Sequence, residues 1–252
     1  MPERDRPQMT PSDLGEALAL LTRLPAPAGA GRGALSAWAW PMAGLAVGLI
    51  TGLVAVLAFA IGFPAGIAAG LALVASVMVT GAMHEDGLAD CADGFWGGTT
   101  PQARLEIMKD SHIGSFGTIA LVLVLLLRWH SMSLLLFSGW VLMPVIAAAV
   151  LSRVPMAAIM SWLPPAREDG LSAGIGQPSR DTAILGGVAG MLVALVLTGF
   201  AGLAAAALVG AAALAIALFA RSKIGGQTGD ALGVAQQIGE VAALSVFAAL
   251  AI

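Results

Sequence analysis

Long apolar runs alternate with short polar connections along this chain. Runs near the roughly 20 residues needed to cross a bilayer fall at 38–60, 64–83, 116–136, 140–161, 182–200, 203–220 and 231–251. They predict an all-α fold, a polytopic integral membrane helical bundle of about seven transmembrane helices. The fifth and sixth runs are continuous in hydropathy and divide most naturally near Thr198-Gly199-Phe200-Ala201-Gly202. Ahead of the first run, Leu14 to Leu24 (LGEALALLTRL) mixes apolar and polar positions and is too short to span. It predicts an amphipathic helix at the membrane interface, ended by Pro25 and Pro27. The expected organisation is a cytoplasmic tail over 1–36 and a transmembrane catalytic domain over 37–252.

Composition agrees with the pattern. Hydrophobic residues make up 58% of the chain and charged residues 11%, against about 25% charged in a soluble domain. Lipid is therefore an expected partner. The 32 glycines suit close helix approach inside a bilayer and leave a homo-oligomer open. Cys91, the single cysteine, excludes an internal disulfide and any cysteine-based zinc cage. A net charge of −3 without a basic, aromatic-rich stripe argues against nucleic acid. The opening MPERDRPQMTPSD lacks the basic start and apolar stretch of a cleaved signal peptide.

Basic residues set the orientation. Seven spans with the N-terminus inside place eleven of the twelve Lys and Arg residues on the cytoplasmic side, with Arg153 counted near the connection after the fourth span and Arg128 left within a span. The positive-inside rule supports that topology. Arg153 sits in an apolar run, where a charge is costly.

Against this sparse background, four carboxylates crowd into the nine residues that follow His84: Glu85-Asp86-Gly87-Leu88-Ala89-Asp90-Cys91-Ala92-Asp93. Asp86, Asp90 and Asp93 are spaced i, i+4, i+7 and share one helix face. Three anions on one face repel unless a cation sits between them, so the pattern reads as an oxygen-liganded divalent metal site, Mg²⁺ above others. A solvated acidic loop is the plainer explanation, and the shared face argues against it. Glu85 lies off that face and is counted with the ligands. Glu106 and Asp110 are explained by pairing with Arg104 or Lys109. His84 is a neighbour of the cluster, and His112 and His130 read as structural.

A second segment, Gly225-Gly226-Gln227-Thr228-Gly229-Asp230, precedes the last span. Glycine backbone ahead of a helix offers N–H groups to phosphate, with Gly225, Gly226, Thr228 and Gly229 as candidate contacts. Asp230 is a candidate further ligand or a base that orients an attacking hydroxyl. The topology puts this segment on the same side as the acidic cluster. Lys109, Arg153, Arg167, Arg221 and Lys223 are candidates for clamping a diphosphate. Carboxylates, metal and a glycine-rich loop at a membrane surface point to phosphoryl transfer. No GxxxxGK[ST] motif appears, which argues against an ATPase.

These segments carry a resemblance. LTRLPAP at 21–27, WPMAGLAVG at 40–48, HEDGLADCADGFWGG at 84–98, RLEIMKDSHIGSFG at 104–117, AREDGL at 166–171 and GGQTGDALG at 225–233 resemble the adenosylcobinamide-GDP ribazoletransferases, the cobalamin synthase family of bacterial vitamin B12 assembly. The resemblance implies a Mg²⁺-dependent transferase in the bacterial inner membrane with its active site facing the cytoplasm. It implies small-molecule substrates: adenosylcobinamide-GDP is joined to α-ribazole or its 5′-phosphate, and GMP is released. On this reading Glu85, Asp86, Asp90 and Asp93 hold the metal, Asp230 is a ligand or base, and Lys109 and Arg153 contact the diphosphate.

Three other readings compete. DCADG at 90–94 echoes the start of the CDP-alcohol phosphotransferase signature, but the following Ala-Arg and later Asp pair are missing. A membrane prenyltransferase needs two Asp-rich motifs in related halves, and one rich cluster is present. An ion-coupled transporter wants acids near the midplane of broken spans, whereas these lie at or beyond a span's end.

Overall fold

The computed structural model describes residues 9–26 and 31–251, whose regular structure is helical. Arg4, Arg6 and Pro27 lie outside the described residues. Helix α1 (Ser12–Leu21) is followed by a short 3-10 helix (Gly33–Ala39) that runs into α2 (Trp40–Ala60). Then come α3 (Ala65–Thr80), α4 (Met83–Gly97), α5 (Pro101–Ile107), α6 (Ser115–Phe137), α7 (Leu142–Leu151) and α8 (Val154–Trp162). The chain closes with α9 (Leu171–Ile175), α10 (Arg180–Thr198), α11 (Phe200–Ile224) and α12 (Gly229–Ala251).

Six stretches are long and apolar enough to cross a membrane: Gly33–Ala60, α6, Leu142–Trp162, α10, α11 and α12. The bent pair α3 and α4 makes a seventh if it counts as one span. Six of the seven expected runs are thus recovered, and the run at 64–83 only as part of that bent pair, with two differences inside them. The run at 64–83 ends at Thr80, where Gly81 (φ 66°) and Ala82 (φ 59°) turn left-handed and α4 leaves at 88° to α3. The acidic residues therefore ride on a helix of their own. The run at 140–161 is two helices interrupted at Ser152-Arg153. Pro155 in the first turn of α8 supplies no N–H and its ring crowds the carbonyl four residues back, so the helix cannot run through. Gly199 (φ 59°) breaks the fifth and sixth runs where expected.

Small residues bring the spans together. Gly44, Gly48 and Gly52 line one face of α2 against α7, where a Cβ on Gly48 would stand 2.6 Å from the Cα of Ile146. In a bilayer such backbone contact replaces the hydrophobic drive that joins helices in water. The outward faces are apolar, with Leu53, Val122, Leu126, Val188, Leu192 and Leu214 exposed. The broken span is the innermost: 78% of its apolar window is buried, against 22% for α11.

Alternation of direction puts the start of α2, the ends of α3, α8 and α11, and the starts of α6, α10 and α12 at one end of the bundle. The connections there are stitched together. Arg104 Nη1 donates to the Lys223 carbonyl at 2.9 Å, Lys109 pairs with Asp169, and Ala166 N–H donates to Gln227 O at 2.8 Å. Helix α1 packs at this end through Ala17 and Leu21 against Ala37, Ala39 and Trp40. Its Asp13 is fully buried and accepts from Thr10 N–H, Thr10 Oγ1, Arg32 Nε and Trp38 Nε1. Burial pushes that carboxyl up, but the hydrogen bonds and the Arg32 charge outweigh it and hold it below the usual carboxylate value. An amphipathic helix was expected at this position. The residue facing inward at its start is a fully satisfied acid.

Candidate active site

Asp86, Asp90 and Asp93 share a face of α4 as their spacing requires, with Asp86 exposed and the other two half-buried. They do not share a role. Asp93 accepts from Gly114 N–H at 2.7 Å and Gly117 N–H at 2.9 Å, capping α6 from outside its own segment. A Cβ on either glycine would strike that carboxylate, which explains the GSFG that opens α6. The Asp86 and Asp90 carboxylates have no hydrogen bond or ion pair among the described residues. Asp90 feels the charges of Asp86, Asp230 and Asp93 and the opposing charge of Arg167.

Asp230 opens α12, and α4 lies directly on it: a Cβ on Gly87 would be 2.8 Å from the Asp230 Cα. Arg167 Nη2 donates to Asp230 Oδ2 at 3.2 Å, and Arg167 Nη1 is buried without a partner. Asp86, Arg167, Gly229 and Asp230 line one cavity of about 160 Å³, whose remaining wall is mostly apolar. The structure thus unites Asp86, Asp90, Asp230 and Arg167 from three separate sequence segments.

Five expectations meet a different arrangement in the structure. Glu85 turns away from the aspartate face, because one residue is a rotation of about 100° on a helix. It is buried, bound by Arg128 Nη1 at 2.9 Å and by Gln237 Nε2 at 3.0 Å, so its charge is already matched. Arg153 is fully buried at the break between α7 and α8, where Nη1 donates to the Ala149 carbonyl at 2.6 Å. It sits inside the bundle rather than at the mouth. Lys109 is exposed and paired with Asp169, tying two connections together, while Asp110 pairs with His112 at 2.7 Å rather than with a lysine or arginine. The glycine segment is no open cradle over its first half. Gln227 N–H is taken by the Pro164 carbonyl at 2.9 Å, and Gly226 is pressed against Ala166, whose N would be 3.0 Å from a Cβ there.

The second half of that segment keeps the expected character. Thr228 Oγ1 accepts from Ala231 N–H at 3.2 Å and caps α12. Gly229 faces open space, and the first N–H groups of a helix have no partner within it. Gly225 (φ 77°) ends α11 and also faces open space.

The fit to a divalent cation rests on the donors. Asp86, Asp90 and Asp230 offer carboxylate oxygens only, and Arg167 is the cation facing them, so negative charge is in excess. That chemistry suits Mg²⁺, which keeps water and substrate phosphate oxygens in its shell rather than demanding a complete protein cage. Among the described residues no three His, Cys, Asp or Glu side chains converge closely enough to hold an ion by themselves.

Behind the site lies a polar core that the hydropathy reading did not foresee. Arg128 of α6 is 1% exposed and reaches three other helices. It donates to Glu85 of α4, to Gln237 and Glu240 of α12 at 3.0 and 2.8 Å, and to Ser76 of α3 at 3.0 Å. Gln236 bridges Glu240 and Ser152 at 2.6 and 3.1 Å, extending the network to the broken span. The signal was present: Arg128 in one span and Gln236, Gln237 and Glu240 in another are an intramembrane charge and its partner.

The Cobalamin-5-phosphate synthase family model matches residues 13–248. Among curated relatives, the adenosylcobinamide-GDP ribazoletransferase of Mesorhizobium japonicum is 46% identical, covering 95% of this chain and 94% of its own. Proteins of the same name from Azorhizobium caulinodans and Bradyrhizobium diazoefficiens are 44% and 43% identical, covering 92% and 94% of this chain and 94% of their own in both cases. No solved structure matches the chain.

Proposed function

The chain belongs to the cobalamin-5-phosphate synthase family, a transferase family of cobalamin biosynthesis, and from that premise we propose that it joins adenosylcobinamide-GDP to α-ribazole or its 5′-phosphate with release of GMP. The observation that carries the proposal is the meeting of Asp86 on α4 with Asp230 and Arg167 at one cavity at the end of a membrane bundle, within the electrostatic reach of Asp90 on the same face of α4. The bacterial inner membrane is the proposed location, with this end facing the cytoplasm, where most of the basic residues lie.

Phosphoryl transfer asks the protein for positioning and charge stabilisation rather than covalent chemistry. Asp86, Asp90 and Asp230 are the residues that would hold Mg²⁺. The ion, when bound, neutralises charge on the diphosphate. Arg167 is anchored to Asp230 through Nη2 and has Nη1 to spare, so it can hold a phosphate oxygen. As the alternative to holding the ion, Asp230 would orient a ribose hydroxyl of the acceptor and take its proton. The hydroxyl oxygen then bonds to the phosphorus that carries cobinamide, the bond from that phosphorus to the bridging oxygen breaks, and GMP departs with both electrons. Gly229 leaves room for the phosphates at the start of α12.

The test uses membranes containing the full chain, adenosylcobinamide-GDP and α-ribazole 5′-phosphate, with GMP release as readout. GMP formation that needs both substrates is expected. Membranes with the protein inserted that release none would overturn the proposal.

A further inference from the structure

The cavity beside Asp86 and Asp230 is small and lopsided. At about 160 Å³ it falls well below the roughly 300–1,000 Å³ that encloses a whole drug-sized ligand. It has room for one ring system of a substrate and none for a corrin. Its polar groups sit at one end: Asp86, Arg167, Gly229 and Asp230. The rest is mostly hydrocarbon, thioether and indole, from Leu21, Trp40, Met156, Met160, Leu171 and Ile175, with His84 and Ser172 as further polar side chains in the wall. Trp40 is 1% exposed, and its indole N–H has no hydrogen-bond partner.

We infer that this cavity seats the ring of the nucleoside acceptor, with the ribose emerging at Asp86 and Asp230. The inference rests on the reaction proposed above and adds the place of one substrate. Three ring systems come into question. The corrin is too large. Guanine carries an amide, an amino group and two ring-nitrogen acceptors, more polar atoms than Trp40, His84 and Ser172 can pair in a wall that is otherwise apolar. The benzimidazole of a ribazole has a hydrocarbon edge suited to Met156 and Met160 and a single free ring nitrogen, the acceptor that the Trp40 N–H lacks. With the ring so held, the sugar stands at the carboxylates and the transferred phosphoryl group lies outside, on the Arg167 side. Trp40, Met156 and Met160 are then the specificity-determining residues for the acceptor, and none of them touches the reacting atoms.

The experiment measures equilibrium binding of α-ribazole and, separately, of adenosylcobinamide-GDP to the full chain in lipid nanodiscs, alongside GMP release. Met160→Trp fills the cavity and is expected to weaken α-ribazole binding about tenfold or more, leaving adenosylcobinamide-GDP binding within about twofold. Trp40→Phe keeps the ring, removes the donor and is expected to weaken α-ribazole about fivefold. Met160→Ala, a milder change, is expected to shift preference toward nucleosides with bulkier rings. Equal α-ribazole affinity in wild type and all three variants would overturn the inference, and so would a loss confined to adenosylcobinamide-GDP. Wild-type protein that binds α-ribazole in this variant-sensitive way but releases no GMP would sink the proposed reaction and leave the seat standing.

Discussion

Gly87 of α4 rests on the backbone of Asp230 in α12, so closely that a methyl group there would stand 2.8 Å from the Asp230 Cα and 3.0 Å from its carbonyl oxygen. Neither residue is near the other in sequence, yet this contact sets the separation between the aspartates of α4 and the acid of α12. Gly233 repeats the arrangement one turn on, against His84.

Gly87→Ala is therefore expected to push the two helices apart at the site. Overpacking of this kind costs about 1–3 kcal/mol, so the protein should still insert. A displacement near 1 Å among reacting groups can cost about a hundredfold in rate, and GMP release should fall by that order. Wild-type turnover at equal amounts of inserted protein would show that the α4–α12 spacing does not matter.

Asp86→Asn and Asp90→Asn are expected to abolish GMP release or to raise sharply the Mg²⁺ concentration needed for half-maximal rate. Chelation should silence the wild-type enzyme and Mg²⁺ should restore it. Glu85→Gln serves as the contrast, since Glu85 belongs to Arg128. It should lower thermal stability without altering the Mg²⁺ requirement. A Glu85→Gln enzyme whose Mg²⁺ curve shifts as far as that of Asp86→Asn would make Glu85 a ligand after all.

Arg128→Met leaves Glu85 and Glu240 buried without their cation. Removing one partner from a buried pair typically costs about 3–5 kcal/mol, so a large drop in melting temperature in detergent is expected. Arg153 has no ion pair within bonding distance and should be the milder loss when changed to Met. If Arg153→Met instead left stability alone and raised KM for adenosylcobinamide-GDP, Arg153 would be a substrate contact.

Gly226→Ala and Gly229→Ala separate the structural from the functional half of one loop. A side chain at 226 collides with the Pro164–Ala166 backbone and should displace Arg167 along with that connection, lowering both stability and turnover. A side chain at 229 meets nothing. Stability should hold while substrate affinity falls, as read from separate KM values and thermal melts. Unchanged KM values for Gly229→Ala would remove that glycine from the site.

What could be read from sequence follows what periodicity can carry. The spans were legible because bilayer thickness dictates run length, and Gly199 marked the break between two of them. Asp86, Asp90 and Asp93 were legible as one face because helix geometry is local. The division of labour among them was not, since Asp93 is claimed by Gly114 and Gly117, which lie beyond an intervening helix. Glu85 looked like a fourth ligand by adjacency alone, and its burial depends on Arg128, 43 residues on. Pro155 was the unread clue to the broken span. Lys109 and Arg153 were chosen for charge, which says nothing about where a side chain ends.

The reach of Arg128 into three other helices also bears on how the protein comes into being. Ser76, Glu85 and Arg128 enter the membrane well before Gln237 and Glu240, which belong to α12 and follow Arg128 by 109 and 112 residues. Until that helix arrives, the guanidinium has one carboxylate for company in a medium that tolerates charge poorly, and α4 has no Asp230 to rest on. Synthesis of the last span thus closes the charge balance and completes the site in the same event, so a chain cut short before α12 would have neither.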